Sequence, residues 1–302
     1  MRREKIAKHR GFFGKYKDKK DGAIRGYDMN SPKVKLFCIL IMLICIVLVV
    51  ISVFPIVWVF LASFKDIKEF TRNVTIIPDS FDFEKIKTTW GALKFGKYYL
   101  NSFKAVVGSV VCAVIFNGLL AYGFAILKPK GYKIAYGLVM WSLLIPATTS
   151  IVAVFRNINM VGLYRSFVPL WLAFGANAFY VVLFKEFFEG IPRELLEAAK
   201  LDGAGVLKVF VNIMLPLSKP IITVVIIFAL TASWSDFLLP YLVLNGSGKE
   251  TVMVKLFAFK DTPTDAVSVL RAALFAIIPP TVLFAFFQKQ ITDGAATGAV
   301  KG

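Results

Sequence analysis

Six long apolar stretches dominate the sequence, and they constrain the fold more than any other feature. A helix rises 1.5 Å per residue, so about 20 apolar residues cross the roughly 30 Å hydrocarbon core of a bilayer. The stretches predict an all-α membrane protein with six transmembrane helices, at residues 36–64, 103–127, 132–155, 167–188, 221–244 and 266–287. Prolines inside them predict kinked spans, because neighbouring helices can satisfy the carbonyl groups that a proline frees.

Composition agrees with a membrane as the solvent. Of the 302 residues, 57% are hydrophobic and 18% are charged, and the mean hydropathy is +0.69. The net charge of +17 does not indicate a nucleic-acid partner, which requires a basic face on a folded domain. Twelve of the 36 basic residues instead lie in residues 1–35.

Charge distribution predicts the orientation and the domains. Basic segments stay on the cytoplasmic side, so an even number of spans places both termini there. We expect a basic cytoplasmic tail at 1–35, a permease domain at 36–288 with a cytoplasmic hairpin at 189–220, and a cytoplasmic tail at 289–302. An alternative role for the first tail is contact with anionic lipid.

Residues for catalysis or metal binding are scarce. The single histidine, His9, lies in the basic tail, and Cys38, Cys45 and Cys112 lie in apolar stretches, so no metal site, catalytic site or disulfide framework is predicted. A nucleotide-binding loop would read GxxxxGK followed by Ser or Thr, and this sequence has none. The string GSGKET at 246–251 is more typical of an outer loop.

The segment 191–220 predicts two helices around a glycine turn. Pro192 suits a first helical position, and Glu194 complements the positive end of the helix dipole. Asp202 and Gly203 predict a stop and a tight turn, after which apolar residues recur at helical spacing until Pro216. The pattern alone is also compatible with an amphipathic hairpin lying on lipid.

This segment resembles the EAA loop of ABC importer permeases. The resemblance is carried by EAAKLDGAG at 197–205 and LPL at 215–217. Three further strings resemble the carbohydrate, maltose-type branch of these permeases: FFEGIPRELLEAA at 187–199, SWSDFLLP at 233–240 and FFQKQITDGAATGAVKG at 286–302.

The resemblance implies a type I permease fold in the bacterial cell membrane and a sugar importer. It implies a second homologous permease, an extracellular or periplasmic sugar-binding protein, and two cytoplasmic ATPase subunits that hold ATP and Mg, with no cofactor in this chain. Glu197 would make the acidic contact with the ATPase, Ala198 and Ala199 would allow close approach, and Gly203 would permit the turn. The residues expected in this ATPase-coupling loop are Glu197, Ala198, Ala199, Asp202, Gly203, Leu215 and Pro216.

Polar residues inside the predicted spans are candidates for the substrate path, because they are costly in a membrane. Asp236, next to Trp234, is the sharpest, since aromatic rings and carboxylates commonly contact sugars, and Asn177 and Tyr180 are further candidates. Hydrogen bonding between helices is the alternative role for these residues, as it is for Asn117 and Tyr122. At comparable depth in the membrane, Asp236 and Arg271 are also expected to form an ion pair.

Two further functions remain open from the residues alone. The first is a permease for another solute delivered by a binding protein, such as glycerol phosphate or a polyamine. The second is an ion-coupled carrier or channel, which would need charges at the bilayer midplane or an internal repeat, and neither is evident.

Overall fold

The computed structural model describes residues 32–72, 75–259 and 265–299, and within these ranges the chain is helical without strands. The predicted α-helical class is confirmed. The helices are α1 Pro32–Ala62, α2 Ile67–Arg72, α3 Phe83–Ala92, α4 Phe95–Tyr122, α5 Tyr132–Ser142, α6 Ile151–Met160, α7 Val168–Gly175, α8 Ala178–Glu189, α9 Arg193–Leu201, α10 Val206–Val209, α11 Leu215–Leu217, α12 Lys219–Ser235, α13 Leu238–Leu244, α14 Val252–Ala258 and α15 Ala266–Ala299.

The chain divides into two compact units, at residues 1–58 and 59–302. In the described part of the first unit, α1 is apolar on all sides, as expected of a helix that spans a membrane. Most of the predicted basic tail, residues 1–31, lies outside the described residues, as do residues 300–302 of the predicted second tail. The second unit contains the remaining helices.

Three helical segments are individually long and apolar enough to cross a membrane, namely Val34–Ala62, Phe95–Leu127 and Ala266–Gln288. Two bent pairs can each supply one more span. Val168–Gly175 with Ala178–Glu189 bends by 41°, and Val206–Leu217 with Lys219–Ser235 bends by 80°. By length and composition, up to five spans are therefore present in the described chain.

The third and fifth predicted spans are broken by proline. Residues 132–155 form α5, a short 3₁₀ turn at Ala147–Ser150 and the start of α6, because Pro146 donates no hydrogen bond and restricts the residue before it. The stretch 221–244 breaks between α12 and α13 at Asp236, where the ring of Pro240 would clash with the carbonyl of residue 236 in a continuous helix.

Helix α4 is the central helix of the second unit and packs against α7, α8 and α12. Its buried face carries small residues, which let helix backbones approach closely in a membrane: Ala105, Ser109, Ala113, Gly118 and Ala121. Gly108 shows how close the approach is, since a Cβ there would lie 2.2 Å from Nε1 of Trp171. That nitrogen donates a hydrogen bond to the carbonyl of Lys104 at 3.1 Å.

Two clusters of buried residues lie at opposite ends of α4, which is about 40 Å long at 1.5 Å per residue. One surrounds Tyr122 and includes residues of the segment 191–220, and we call this end the hairpin end. The other surrounds Phe95 and Trp90 and is an aromatic cluster in which the Trp90 and Phe275 rings lie 5.0 Å apart.

Candidate functional site

The hairpin, residues 189–220, contains helix α9, which ends at a turn formed by Gly203. Gly203 has φ +72°, a left-handed conformation that glycine adopts without steric cost. The amide of Ala204 donates a hydrogen bond to the carbonyl of Ala199 at 2.9 Å. The amide of Asp202 donates one to the carbonyl of Ala198 at 3.0 Å. The first of these bonds spans five residues around a left-handed glycine, the pattern of a Schellman motif, which satisfies the last carbonyls of a helix.

Helix α9 has one buried face and one exposed face. Leu196 and Ala199 are buried, and they belong to a cluster that also contains Phe188 of α8 and Met214 of the second half of the hairpin. Of the two alanines expected to allow close approach, only Ala198 faces outward.

The exposed face carries the groups that a docking partner would meet. Glu197, Ala198, Asp202 and Gly203 are all exposed, and 89% of the surface of Leu201 is accessible at the turn. Val206 and Leu207 are exposed beside the same turn, and a group of exposed apolar side chains rimmed by polar residues is typical of an interaction surface.

The second half of the hairpin returns through α10, a π-helical turn at Phe210–Met214, and α11. Pro216 lies in the first turn of α11, where its missing amide proton is not needed. The chain then turns by 80° into α12 at Ser218, whose amide donates to the carbonyl of Met214 at 3.0 Å. Leu215 and Pro216 therefore lie in the last helical turn before this bend.

A charged network joins the hairpin to the neighbouring helices. Nζ of Lys185 lies 2.8 Å from a carboxylate oxygen of Glu189, whose other oxygen lies 3.8 Å from Nζ of Lys128. Lys185 also lies 4.7 Å from the ring centre of Tyr136, within the range of a cation–π interaction. A cleft of about 510 Å³ opens beside this network, and its lining includes Lys128, Glu189 and Glu197.

The substrate-path candidates in the fourth span occupy its bend. The side chain of Asn177 accepts a hydrogen bond from the amide of Tyr180 at 3.2 Å and so caps α8. Asn117 of α4 accepts from the amide of Asn177 at 3.0 Å and donates to the carbonyl of Phe174 at 2.8 Å. Asn117 therefore satisfies backbone groups that the bend leaves unpaired, and Tyr180 is buried.

The candidates in the fifth span lie at its break. Trp234 is buried, and its Nε1 donates to the carbonyl of Ala276 at 3.0 Å. Asp236 is half-buried, and its carboxyl group faces the backbone amides that begin α13. In the described part of the chain, no hydrogen bond or ring contact joins this pair to Asn177 and Tyr180.

The expected ion pair between Asp236 and Arg271 is wrong. Arg271 instead donates three hydrogen bonds, to the carbonyl of Ser63 at 2.8 Å, the carbonyl of Lys65 at 2.9 Å and Oγ1 of Thr89 at 3.1 Å. These oxygens surround its guanidinium group and tie α15 to α3 and to the segment that follows α1. Equal depth in the membrane does not determine the direction in which each side chain leaves its helix. In the structure, Arg271 faces α3.

The charge of Arg271 instead lowers the pKa of a different carboxyl group, that of Asp265. Burial raises the pKa of Asp265, but hydrogen bonds from the side chain and amide of Ser268, together with the Arg271 charge, outweigh that effect. The pKa of Asp265 is therefore held below its ordinary value.

The network of Lys128, Lys185 and Glu189 was not predicted. Its sequence signal was present, since Lys185 and Glu189 are four residues apart on one helix, a spacing at which opposite charges meet. Lys128 is distant in sequence, and only the packing of α4 against α8 reveals its contribution.

Comparison with known proteins agrees with this geometry. Residues 35–294 match the family described as "Binding-protein-dependent transport system inner membrane component". The arabinooligosaccharides transport system permease protein AraQ of Bacillus subtilis (strain 168) is 30% identical over 279 residues, which cover 90% of this chain and 99% of the relative.

Two other relatives cover similar shares. The diacetylchitobiose uptake system permease protein NgcG of Streptomyces coelicolor is 28% identical and covers 83% of this chain and 85% of its own. The sn-glycerol-3-phosphate transport system permease protein UgpE of Yersinia pestis is 28% identical, and the match covers 88% of this chain and 97% of UgpE.

A solved structure shares the fold. It is a bacterial ABC transporter involved in the import of the acidic polysaccharide alginate, and one of its chains matches with a TM-score of 0.74 at 22% identity, covering 86% of this chain and 98% of that one. The family match over residues 35–294 shows that the chain belongs to the family of binding-protein-dependent transport system inner membrane components.

Proposed function

We propose that this chain is a permease subunit that translocates a sugar or oligosaccharide, delivered by an extracellular binding protein and driven by ATP hydrolysis in separate subunits. The observation that supports the proposal most is that the hairpin has one buried face and one exposed face. Its inner face is anchored in the core through Leu196 and Ala199, while Glu197, Ala198 and Leu201 remain exposed. Such a surface is suited to seat in a groove of an ATPase, and family membership agrees with that role.

The proposed assembly contains a second, related permease and two ATPase subunits that bind ATP and Mg. In this arrangement the hairpin end is cytoplasmic, as are both termini. Family membership decides against a channel or an ion-coupled carrier, because the family depends on a binding protein.

A carbohydrate substrate is supported by AraQ and NgcG, whose names specify oligosaccharides. The similarity to UgpE supports glycerol phosphate as a second candidate. Asp236 is the substrate contact we favour, because it is half-buried beside the exposed Ser235 at a break between two helical segments, whereas Trp234 and Tyr180 are buried.

Substrate-stimulated ATP hydrolysis by the reconstituted complex tests this proposal. The complex would be supplied with its binding protein and, in turn, with arabino-oligosaccharides, diacetylchitobiose and sn-glycerol 3-phosphate. We expect at least one of the sugars to raise ATP hydrolysis and glycerol phosphate to leave it at the basal rate. Stimulation by glycerol phosphate alone would replace the sugar assignment, and a complex that recruits no ATPase would refute the importer function.

A further inference from the structure

The hairpin contacts the end of α4 and the turn that follows it at two separate points, although it is covalently joined only to α8 and α12. At the first, the hydroxyl group of Tyr122 donates a hydrogen bond to the carbonyl of Val206 at 3.2 Å, where the second half of the hairpin begins its helix. At the second, Lys128 lies 3.8 Å from Glu189, which is the last residue of α8 and the first of the hairpin.

A π-helical turn positions these two contacts. Residues Gly123–Leu127 follow α4 as a π-helix, and the chain leaves it at Lys128 with φ +46°. Another π-helix, Phe210–Met214, lies in the hairpin, and the Tyr122 and Phe210 rings are 5.1 Å apart. Single π-helical turns within α-helices are frequent at functional sites.

The cleft described above lies beside the second contact, whose residues Lys128 and Glu189 both line it. The cleft has a volume of about 510 Å³, and its lining also includes Ala125 and Ile126 of the π-helical turn after α4 and Arg193 and Leu196 of the hairpin. The turn after α4 and helix α9 therefore face each other across open space, and the contact between Lys128 and Glu189 lies at its margin.

We propose that the hairpin end of α4, residues 122–128, receives the displacement of the hairpin and passes it to the membrane-spanning bundle, with Tyr122 and Lys128 as positioning residues. This inference rests on the proposed docking of the hairpin on an ATPase. Because α4 packs against α7, α8 and α12, a shift at Tyr122 is transmitted to several helices at once and along about 40 Å to the aromatic cluster at Phe95.

Coupling through chain continuity alone is the competing mechanism, since α8 and α12 enter the hairpin directly. In that case the two contacts with α4 only stabilise the fold. The two mechanisms differ in what the loss of one hydroxyl group does, because Tyr122→Phe keeps the buried ring and its packing on Phe210.

The test uses the purified complex with its ATPase subunits and its binding protein, loaded with the member of the oligosaccharide panel that stimulates the wild-type complex most. The variants are Tyr122→Phe, Lys128→Gln and the two combined. Matched controls are Tyr132→Phe, whose hydroxyl makes no hydrogen bond within the described chain, and Lys130→Gln, an exposed lysine of the same connection. Lys128→Arg keeps the charge and should restore coupling.

We expect every variant to recruit wild-type amounts of ATPase. The ratio of stimulated to basal ATP hydrolysis should fall about three- to tenfold in Tyr122→Phe, as for loss of one hydrogen bond, and by at most about fivefold in Lys128→Gln, whose ion pair is partly exposed. An unchanged ratio in the double variant, or a ratio that falls equally in the controls, would overturn the inference. If the wild-type complex recruits no ATPase, it is the proposed function that fails.

Discussion

Replacing Glu197 with alanine is expected to lower the affinity of the permease for its ATPase subunits about thirtyfold, with normal amounts of folded permease in the membrane. The side chain is exposed, so its removal leaves the fold intact. In the docked complex it would be desolvated against a positive group, and removing one partner of such a pair costs about 2 kcal/mol or more. At 1.4 kcal/mol per factor of ten, that is about thirtyfold.

The measurement is the amount of ATPase that copurifies with the affinity-tagged permease over a range of ATPase concentrations. Glu194→Ala is the matched control, because Glu194 is another exposed carboxylate on the same helix, in its first turn. Equal loss in both variants would indicate a general charge effect, and no loss in Glu197→Ala would show that this carboxylate makes no contact in the complex.

Gly203→Val is expected to abolish stimulation of ATP hydrolysis by the loaded binding protein, with normal amounts of permease in the membrane. With φ at +72°, a β-branched residue would carry strain of about 1 to 3 kcal/mol. No other atom lies within 4 Å of the Cβ position, so backbone strain is the main cost. Relief of that strain would break the Schellman motif and displace α9, while the rest of the bundle stays folded.

Gly205 provides a control for this change. It has an ordinary φ of −67° and open space at its Cβ position, so Gly205→Val should keep stimulation near the wild-type value. Gly203→Asn should retain a large part of it, because asparagine tolerates the left-handed conformation. If Gly203→Val is stimulated as strongly as Gly205→Val, the geometry of the turn does not matter for coupling.

The helical class and the family could be predicted from sequence, because both depend on strong local signals. The length of an apolar stretch indicates directly that it can span a membrane. The string EAAKLDGAG combines helix-forming residues with a glycine that ends the helix. The left-handed conformation of Gly203 in the structure has the same origin, since few other residues adopt it at low cost.

The breaks within the spans were harder to predict. Hydropathy indicates that a stretch lies in the membrane, but it does not indicate whether the helix is continuous. Pro146 and Pro240 signalled kinks, but the bend at Asn177 depends on Asn117, which lies 60 residues earlier and satisfies the exposed backbone groups. No local pattern contains that information.

Side-chain direction explains the wrong ion pair and the missed network. Residue counting estimated the depth of Asp236 and Arg271 but gave no direction around either helix, and the oxygens around Arg271 come from residues about 180 to 210 positions away. The contacts of Tyr122 and Lys128 with the hairpin depend likewise on two π-helical turns, for which the sequence has no distinctive signal.

Cross-linking from the exposed face of α9 tests the docking of the hairpin most directly. The native Cys38, Cys45 and Cys112 would be replaced, and a photoreactive group would be attached to a single cysteine at the exposed Ala198 or, as a control, at the exposed Lys249 near the opposite end of α4. We predict that position 198 cross-links to the ATPase and position 249 does not. Adducts with lipid alone at position 198, in a complex that hydrolyses ATP, would contradict the account and assign the hairpin to the membrane surface.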